Sequence, residues 1–174
     1  NWDSVNGNEE GLVKYYYENS GKIEKVEKWD DGVQLDHTSY HENGNINIKY
    51  NYVNGKVNGK WLSFYENGEP EQEANFIDGV RVGLLRNFNQ DGRLSFIMKF
   101  DDKGKKVFEE SFYEDGKLST SINWNGDKRD GITKDYWRNG NLRSEKNFKN
   151  GLKSGKFIYY NKQGIIISQE RWEN

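Results

Sequence analysis

The apolar positions of this chain recur around a series of glycines at a nearly constant interval. The glycines follow one another after 23 residues once and after 24 residues thereafter: Gly21, Gly44, Gly68, Gly92, Gly116, Gly140 and Gly164. An aromatic residue precedes each glycine by four positions: Tyr17, Tyr40, Phe64, Phe88, Phe112, Tyr136 and Tyr160. A second aromatic follows each glycine by eight positions: Trp29, Tyr52, Phe76, Phe100, Trp124, Phe148 and Trp172. A fixed period of this size indicates a repeat array.

The glycines are typical of tight β-hairpin turns. Asn or Asp precedes 13 of the 19 glycines, and these pairs favour hairpins because both residues adopt positive φ at little cost. The spacing predicts a three-residue loop with glycine last, as in Glu66-Asn67-Gly68, closed by a G1 bulge. Such a loop places the aromatic at position −4 opposite the residue at +2, which is aliphatic in every repeat except at Pro70.

These patterns predict an all-β fold. We expect an elongated single-layer antiparallel meander of about seven 24-residue β-hairpin repeats, forming one repeat domain over residues 1–174. Because side chains alternate between the faces of a strand, the aromatics at −4 and +8 and the aliphatic residues at +2 are expected to share one face. The intervening positions are almost all polar, so the other face is expected to be wet.

Charge and composition exclude several classes of partner. The chain has 26 basic and 28 acidic residues, interspersed, and a net charge of −2, which argues against binding to nucleic acid or to an anionic membrane. The longest aliphatic run is Ile165–Ile167, so membrane insertion is not expected. Because the sequence has no cysteine, it does not indicate whether the protein works in an oxidising or a reducing compartment, and a structural zinc of the usual type is not expected.

The beginning of the chain bears on its location. The chain starts at Asn1 and its one methionine is Met98, so we expect that a preceding segment was removed. A cleaved signal peptide is compatible with this start. A cell-envelope location is favoured slightly over a cytoplasmic one.

Candidate catalytic groups are sparse, so no catalytic site and no cofactor is predicted. His37 and His41 are the two histidines, and the sequence has neither cysteine nor a Gly-x-Ser-x-Gly motif, so no nucleophile–base pair is indicated. The two histidines lie four apart on one predicted strand and in principle could bind a metal. They occupy repeat positions filled elsewhere by Trp61 and Tyr65, which favours a structural role. We expect that the protein is not an enzyme.

Residues that differ between repeats provide the candidate binding face. By strand alternation, position −3 and position −7 project away from the predicted apolar face. Position −7 contributes Trp61, Leu85 and Phe157, and position −3 contributes Tyr65, Tyr113 and Trp137 among others. The candidate binding residues are four of these aromatics: Trp61, Tyr65, Tyr113 and Trp137. Exposed rings on a polar face are typical of interaction sites, and we expect each of the four to be at least half exposed. The alternative is that they pack on long neighbouring side chains and stiffen the sheet.

The repeat units resemble a known family. Gly59–Gly68 and Asp135–Gly140, each followed by an aromatic-x-x-Gly turn at Phe76–Gly79 and Phe148–Gly151, are similar to the bacterial variant of the MORN repeat. Bacterial chains of this kind are often classed with the antitoxin-like YwqK family. The resemblance extends from Gly11 to Trp172. It implies an elongated, twisted antiparallel sheet that serves as an interaction scaffold, and the antitoxin class implies a toxin as partner.

Two functions follow as hypotheses. The leading one is a non-catalytic scaffold with a protein partner, antitoxin- or immunity-like or an envelope surface protein. The alternative is a glycan or cell-wall binding module that uses exposed aromatics. Sugar binding needs open ring faces with carboxylates or amides beside them, whereas protein binding needs a broad continuous strip of side chains.

Overall fold

The computed structural model describes residues 3–5 and 8–173, with side chains from Glu10 onward. Regular structure in this part of the chain consists of fifteen strands: β1 (Asp3–Val5), β2 (Asn8–Tyr16), β3 (Ile23–Asp30), β4 (Val33–Tyr40), β5 (Ile46–Val53), β6 (Lys56–Phe64), β7 (Pro70–Ile77), β8 (Val80–Phe88), β9 (Leu94–Phe100), β10 (Lys106–Phe112), β11 (Leu118–Asn125), β12 (Lys128–Tyr136), β13 (Leu142–Lys149), β14 (Leu152–Tyr160) and β15 (Ile166–Trp172). The described residues contain no helix. The strands follow one another in chain order in one open antiparallel sheet, which confirms the predicted all-β hairpin meander.

Contacts between residues group the chain into two compact units. Unit 1 comprises residues 1–82 and 88–92, and unit 2 comprises residues 83–87 and 93–174. The boundary falls within β8. A division of this kind does not test the predicted single repeat domain over residues 1–174, which stays a prediction.

The predicted three-residue loops are confirmed. In the loop 66–68, the Tyr65 N–H donates to the Glu69 carbonyl and the Gly68 N–H donates to the Tyr65 carbonyl, both at 2.9 Å. Gly68 has a φ of 88°, which is the left-handed conformation that glycine adopts without a steric penalty. The same pair of hydrogen bonds closes the loop that ends at Gly140, at 2.8 Å each.

The predicted cross-strand pairs are also confirmed. The aromatic at −4 lies opposite the residue at +2 in these hairpins: Tyr40 with Ile46, Phe64 with Pro70, Phe112 with Leu118, Tyr136 with Leu142 and Tyr160 with Ile166. In the first hairpin Tyr16, and not Tyr17, lies opposite Ile23. The extra residue of that loop displaces Tyr17 by one position, so its assignment to the column at −4 is wrong.

A one-residue β-bulge follows each of these loops and changes the face of the sheet on which the subsequent residues of the strand lie. In β5, Ile46 pairs with Tyr40 but Ile48 pairs with Ser39, so Asn47 is an extra residue. The equivalent extra residues, three positions after the loop glycine, are Glu24, Glu71, Ser119, Arg143 and Ile167. A one-residue shift moves every following side chain to the opposite face.

The three predicted columns therefore do not share one face. We call the face that carries the aromatics at −4 and the aliphatic residues at +2 face A, and the face that carries the aromatics at +8 face B. The prediction of one apolar and one wet face is wrong, since each face carries one aromatic column. A contact on face B agrees with this register, because the Tyr52 ring packs edge-on against Tyr50 with ring centres 5.3 Å apart.

A further glycine faces several of the aromatics at +8. Gly59 lies opposite Phe76, Gly131 opposite Phe148 and Gly155 opposite Trp172. At Gly131, with a φ of 102°, an added Cβ would lie 3.3 Å from the Asn123 Cβ, so both conformation and space favour glycine.

The fifth repeat departs from this arrangement at Val107. Here Val107 is a single extra residue between the pairs of Lys106 and Phe108. The preceding turn is a three-residue loop, in which the Asp101 N–H donates to the Lys105 carbonyl at 2.9 Å. The irregular position of Gly104 therefore reflects a residue moved from the strand into the turn.

Unit 1 has a central row of cross-strand neighbours on face B. The row comprises Val13, Glu27, His37, Tyr50, Trp61 and Ala74. Val13, Glu27 and Ala74 are buried, with Ala74 at 2% exposure. The His37 and Tyr50 rings stack at 4.9 Å between their centres.

Unit 2 has an equivalent central row of different chemistry. It comprises Met98, Glu109, Ile122, Thr133, Lys146, Phe157 and Glu170. Phe157 is 2% exposed, because the rings of Phe148 and Trp172 pack on either side with centres at 5.4 and 6.2 Å. The most buried large side chain thus lies at position −7, which the sequence pattern had assigned to a polar binding face.

Candidate interaction surface

Three of the four predicted binding rings bond to the following repeat. Each donates a hydrogen bond to a main-chain carbonyl 23 residues ahead: Tyr65 to Phe88 at 2.7 Å, Tyr113 to Tyr136 at 2.6 Å and Trp137 to Tyr160 at 3.2 Å. Tyr17 makes the same contact with Tyr40 at 2.6 Å. The His41 Nε2 lies 2.8 Å from the Phe64 carbonyl. We call these contacts the ring ladder, and they join successive hairpins at the loop end of the strands.

Basic side chains cover two of these rings. The Arg138 guanidinium carbon lies 5.2 Å from the centre of the Tyr113 ring. Arg143 and Lys162 lie 4.9 and 5.8 Å from the centre of the Trp137 ring. Contacts of this length are cation–π interactions, so these rings are engaged at both their polar atoms and their faces.

The expected exposure of the four rings is wrong. Trp61, Tyr65, Tyr113 and Trp137 are all half-buried. Trp61 lies in the central row of unit 1, opposite Tyr50 and Ala74, and the other three belong to the ring ladder. A binding role for the four stays a prediction, and their contacts support the alternative that they stiffen the sheet.

The two histidines have separate surroundings. His37 stacks on Tyr50, and its Nδ1 lies 3.5 Å from a Glu27 carboxylate oxygen, whereas His41 contacts the Phe64 carbonyl. Within the described residues, no group of three or more His, Cys, Asp or Glu side chains is placed to hold a metal ion.

Glu27 is the most buried carboxylate of unit 1. At 6% exposure, it accepts hydrogen bonds from the Lys25 ammonium at 2.8 Å and from the Trp29 indole N–H at 3.3 Å. Burial alone would raise the pKa of this carboxyl, but the hydrogen bond and positive charge of Lys25 outweigh burial and lower it. The carboxylate is therefore held charged.

Asp135 is a half-buried carboxylate of unit 2, opposite Thr120 and Ser144. Its carboxylate accepts hydrogen bonds from the Ser144 hydroxyl at 2.6 Å and from the Lys146 ammonium at 2.9 Å. Burial raises the pKa of Asp135, and the bonds from Ser144 and Lys146 lower it by more. Like Glu27, this carboxylate is already engaged within the sheet.

Asparagine before the loop glycine joins the hairpin loops in a second ladder. The Asn67 Oδ1 accepts from the Glu69 N–H at 3.0 Å, and its Nδ2 donates to the Gln90 carbonyl of the next loop at 2.8 Å. Asn139 makes the same two bonds in unit 2, at 3.0 and 2.7 Å. We call these contacts the asparagine ladder. An Asp side chain can make the first bond but has no hydrogen for the second.

Face B of unit 2 carries rings interleaved with cations. The Lys106 Nζ lies 5.3 Å from the Trp124 ring centre. The Arg129 guanidinium carbon lies 5.9 Å from the centre of Trp124 and 5.5 Å from that of Phe148. The Lys153 Nζ lies 4.0 Å from the Trp172 ring centre. We call these residues the cation–aromatic strip: Lys106, Trp124, Arg129, Phe148, Lys153 and Trp172.

The strip presents accessible positive charge. Arg129 and Lys153 are exposed, and Trp172 is 39% exposed. In the described part of the chain, neither Arg129 nor Lys153 forms an ion pair, and Lys106 has one long contact of 3.9 Å with Asp127. Sequence reasoning assigned these aromatics to a structural column and missed the cations. The available signal was the basic residue near the start of each following strand.

Unit 1 lacks most of these cations. Gln34 lies opposite Trp29, and Val57 lies opposite Tyr52. Arg81 does lie over Phe76, with its guanidinium carbon 5.4 Å from the ring centre.

Charge is divided between the units. Unit 1 contains 16 acidic and 8 basic residues, a formal charge of −8, and unit 2 contains 12 acidic and 18 basic residues, a formal charge of +6. Acidic and basic residues are interspersed along the chain, but each unit has an excess of one sign, and the two excesses nearly cancel in the sum. The exclusion of nucleic acid and anionic membranes loses this support and stays a prediction.

Comparison with known proteins identifies part of the array. Residues 35–54, 57–78 and 129–150 match the family model of the MORN repeat variant, which together is little more than a third of the chain. Each match covers two successive strands and their loop, namely β4–β5, β6–β7 and β12–β13. No curated protein matches the chain. In the described residues, no helix is long and apolar enough to span a membrane. Three repeats of this chain are thus similar to the MORN repeat variant.

Proposed function

We propose that this chain is a non-catalytic protein-interaction scaffold whose binding surface is the cation–aromatic strip of unit 2. The observation that supports this most directly is the alternation of partly exposed rings with cations, two of which, Arg129 and Lys153, have no ion-pair partner in the described residues. Aromatic residues and arginine are enriched at protein interfaces and provide much of their binding energy.

The carboxylates and histidines support a non-catalytic role. Glu27 and Asp135 are held by hydrogen bonds from their neighbours, and their lowered pKa values oppose proton transfer near neutral pH. The matching family is a repeat family. Repeat arrays of this kind act by presenting surfaces.

The positions of the ring faces favour a protein partner over a glycan. Stacking of a sugar on Trp124 or Phe148 needs an open ring face, whereas Arg129 lies over both rings. Cations beside rings offer hydrogen-bond donors to carboxylates and main-chain carbonyls. Glycan binding is the alternative that the experiment below separates.

Two biological settings agree with this scaffold. In an antitoxin- or immunity-like role, the captured partner is a toxin. In an envelope role, the partner is another surface protein. The identity of the partner distinguishes the two.

The test compares capture by matched variants. The full chain serves as bait in native lysate, with chemical cross-linking and mass spectrometry. The first variant carries Arg129→Glu and Lys153→Glu. The control carries Lys99→Glu and Lys156→Glu, which is the same charge change at exposed positions on face A of unit 2. Melting temperatures of all three proteins are compared.

We expect the wild type and the control to capture a protein that the strip variant does not capture. The melting temperatures of the three baits should be similar. Capture that is equal in the three proteins would contradict the assignment of the strip. Binding to a glycan array without strip-dependent protein capture would contradict the protein-scaffold proposal and favour the glycan alternative.

A further inference from the structure

The strip carries positive charge with little compensation, because Arg129 and Lys153 form no ion pair in the described residues and Lys106 has one long contact, with Asp127 at 3.9 Å. Unit 2 carries a formal charge of +6. The acidic residues next to the strip are engaged: Glu170 accepts from the Trp172 indole N–H at 3.2 Å, and Asp130 accepts from the Asn150 N–H at 3.0 Å and from Lys149 at 3.4 Å. An occupant of this surface therefore has to supply negative charge.

The cations of the strip have a regular spacing. Lys106 begins β10, Arg129 is the second residue of β12, and Lys153 is the second residue of β14. Each cation is thus two strands from the next. Neighbouring strands lie about 4.8 Å apart, so successive cations lie roughly 10 Å apart across the strands.

An extended peptide can match this spacing in one particular conformation. A polyproline II helix rises about 3.1 Å per residue with three residues per turn, so every third side chain lies on the same side about 9 Å further along. A β-strand places same-side residues about 6.6 Å apart, which is out of register with the cations.

We propose that the cation–aromatic strip binds an acidic protein segment in the polyproline II conformation, with Asp or Glu at every third position. The carboxylates pair with Lys106, Arg129 and Lys153, and the residues between them pack on the exposed edges of the rings. This inference rests on the proposed function and specifies the chemistry of the partner.

Single-stranded nucleic acid is the other anionic chain that such a surface suggests. Its recognition depends on bases stacked on open aromatic faces. The face of Trp172 toward Lys153 is occupied at 4.0 Å, and Trp124 is contacted by both Lys106 and Arg129. The covered rings favour the peptide.

Three labelled peptides test the spacing. The first repeats Glu-Pro-Pro four times, the second has the same composition with its four glutamates in one block, and the third replaces Glu by Gln. A single-stranded oligo-dT of similar length is the fourth ligand. Fluorescence anisotropy measures binding to the wild-type chain, to Arg129→Gln with Lys153→Gln, and to the face A control Lys99→Gln with Lys156→Gln.

We expect the spaced peptide to bind about tenfold more tightly than the blocked peptide and to lose about tenfold in affinity in the strip variant, with no comparable loss in the control. Any of three results would overturn the inference. The spaced and blocked peptides could bind equally well, the strip variant and the control could lose the same affinity, or oligo-dT could bind to the strip more strongly than the spaced peptide. If the spaced peptide fails while strip-dependent protein capture persists, the inference falls and the scaffold stands. If capture also fails, both fall.

Discussion

Units 1 and 2 share one hairpin geometry and differ in what the sheet face carries. In both units a glycine-terminated loop is followed by a one-residue bulge, and both contain ring and asparagine ladders. The central row of unit 1 contains a buried carboxylate, Glu27, which is hydrogen-bonded to Lys25, whereas the central row of unit 2 contains a fully buried ring, Phe157. The backbone repeats, and the side chains on face B vary.

The charges of the units extend this contrast. Unit 1 carries −8 and unit 2 carries +6, although the loops and ladders are equivalent. Since turns and ladders use main-chain atoms and a few fixed side chains, the remaining strand positions are free to differ. The comparison teaches that the repeat specifies the hairpin backbone, whereas the strand positions that differ between the units specify the charge of each unit.

The largest expected effect compares the two central rows. Phe157→Ala should destabilise the protein by about 3–5 kcal/mol, because the ring is fully buried and its loss leaves a cavity. Trp61→Ala at the equivalent position of unit 1 should cost less, about 2 kcal/mol, because that ring is half-buried. Urea denaturation followed by circular dichroism measures both.

Hydrogen exchange within each unit is the control, because repeat arrays can unfold in parts. Equal losses for Trp61→Ala and Phe157→Ala would contradict the difference between the two central rows.

Sequence reasoning predicted the backbone better than the faces. The loops are predictable because a glycine of positive φ ends each of them, as at Gly68. The bulge was not, because its extra residue, such as Asn47 or Glu71, is an ordinary polar residue without a conformational signature. Strand alternation carried across that bulge then placed the aromatics at +8 on the wrong face.

The expected exposure of the four candidate binding rings is also wrong. Phe157 was assigned to the wet face and is buried. The ring ladder depends on contacts 23 residues apart, as between Tyr65 and Phe88, which a single repeat does not reveal. The aromatic residues at +8 form a column in the sequence, but the cations over them, such as Arg129, depend on the register of the following strand.

Acid should weaken both units through the hydrogen-bonded carboxylates Glu27 and Asp135. Because the folded pKa values of Glu27 and Asp135 are lowered, their contribution to stability is present above the unfolded pKa of about 4 and is lost as pH falls through the folded pKa. Glu27→Gln and Asp135→Asn should each cost about 1.5–3 kcal/mol at neutral pH, the range for hydrogen bonds to charged groups.

Denaturation curves at a series of pH values measure this effect. The difference between each variant and the wild type should shrink as pH falls below about 4, since protonation removes the same charge from the wild type. A difference that stays constant over this range would show that the side chains contribute through packing alone.

A smaller effect is expected in the central row of unit 2. The Thr133 hydroxyl is buried and has no hydrogen-bond partner among the described residues, and the residue is 3% exposed. Thr133→Val keeps the shape of the side chain and removes the unsatisfied group, so it should stabilise the protein by about 1 kcal/mol. Thr120→Val is the matched control, because the Thr120 hydroxyl lies 3.4 Å from Asp135. A loss of stability in Thr133→Val would mean that the hydroxyl is paired in solution.

The smallest effect tests the asparagine ladder at a position where it is broken. Asp115 accepts from the Lys117 N–H at 3.2 Å, as Asn67 does from Glu69, but it cannot donate to the Arg138 carbonyl 23 residues ahead. Asp115→Asn supplies this donor and should stabilise unit 2 by about 0.5–1.5 kcal/mol, the net value of one hydrogen bond. The change also removes the exposed ion pair with Lys117, which contributes little to stability.

Asn67→Asp is the reciprocal variant and should destabilise unit 1 by a similar free energy. Thermal denaturation of both variants tests the ladder. If the ladder joins the repeats, Asp115→Asn should raise the melting temperature and Asn67→Asp should lower it. If the side chain serves only the turn of its own loop, neither variant should change the melting temperature.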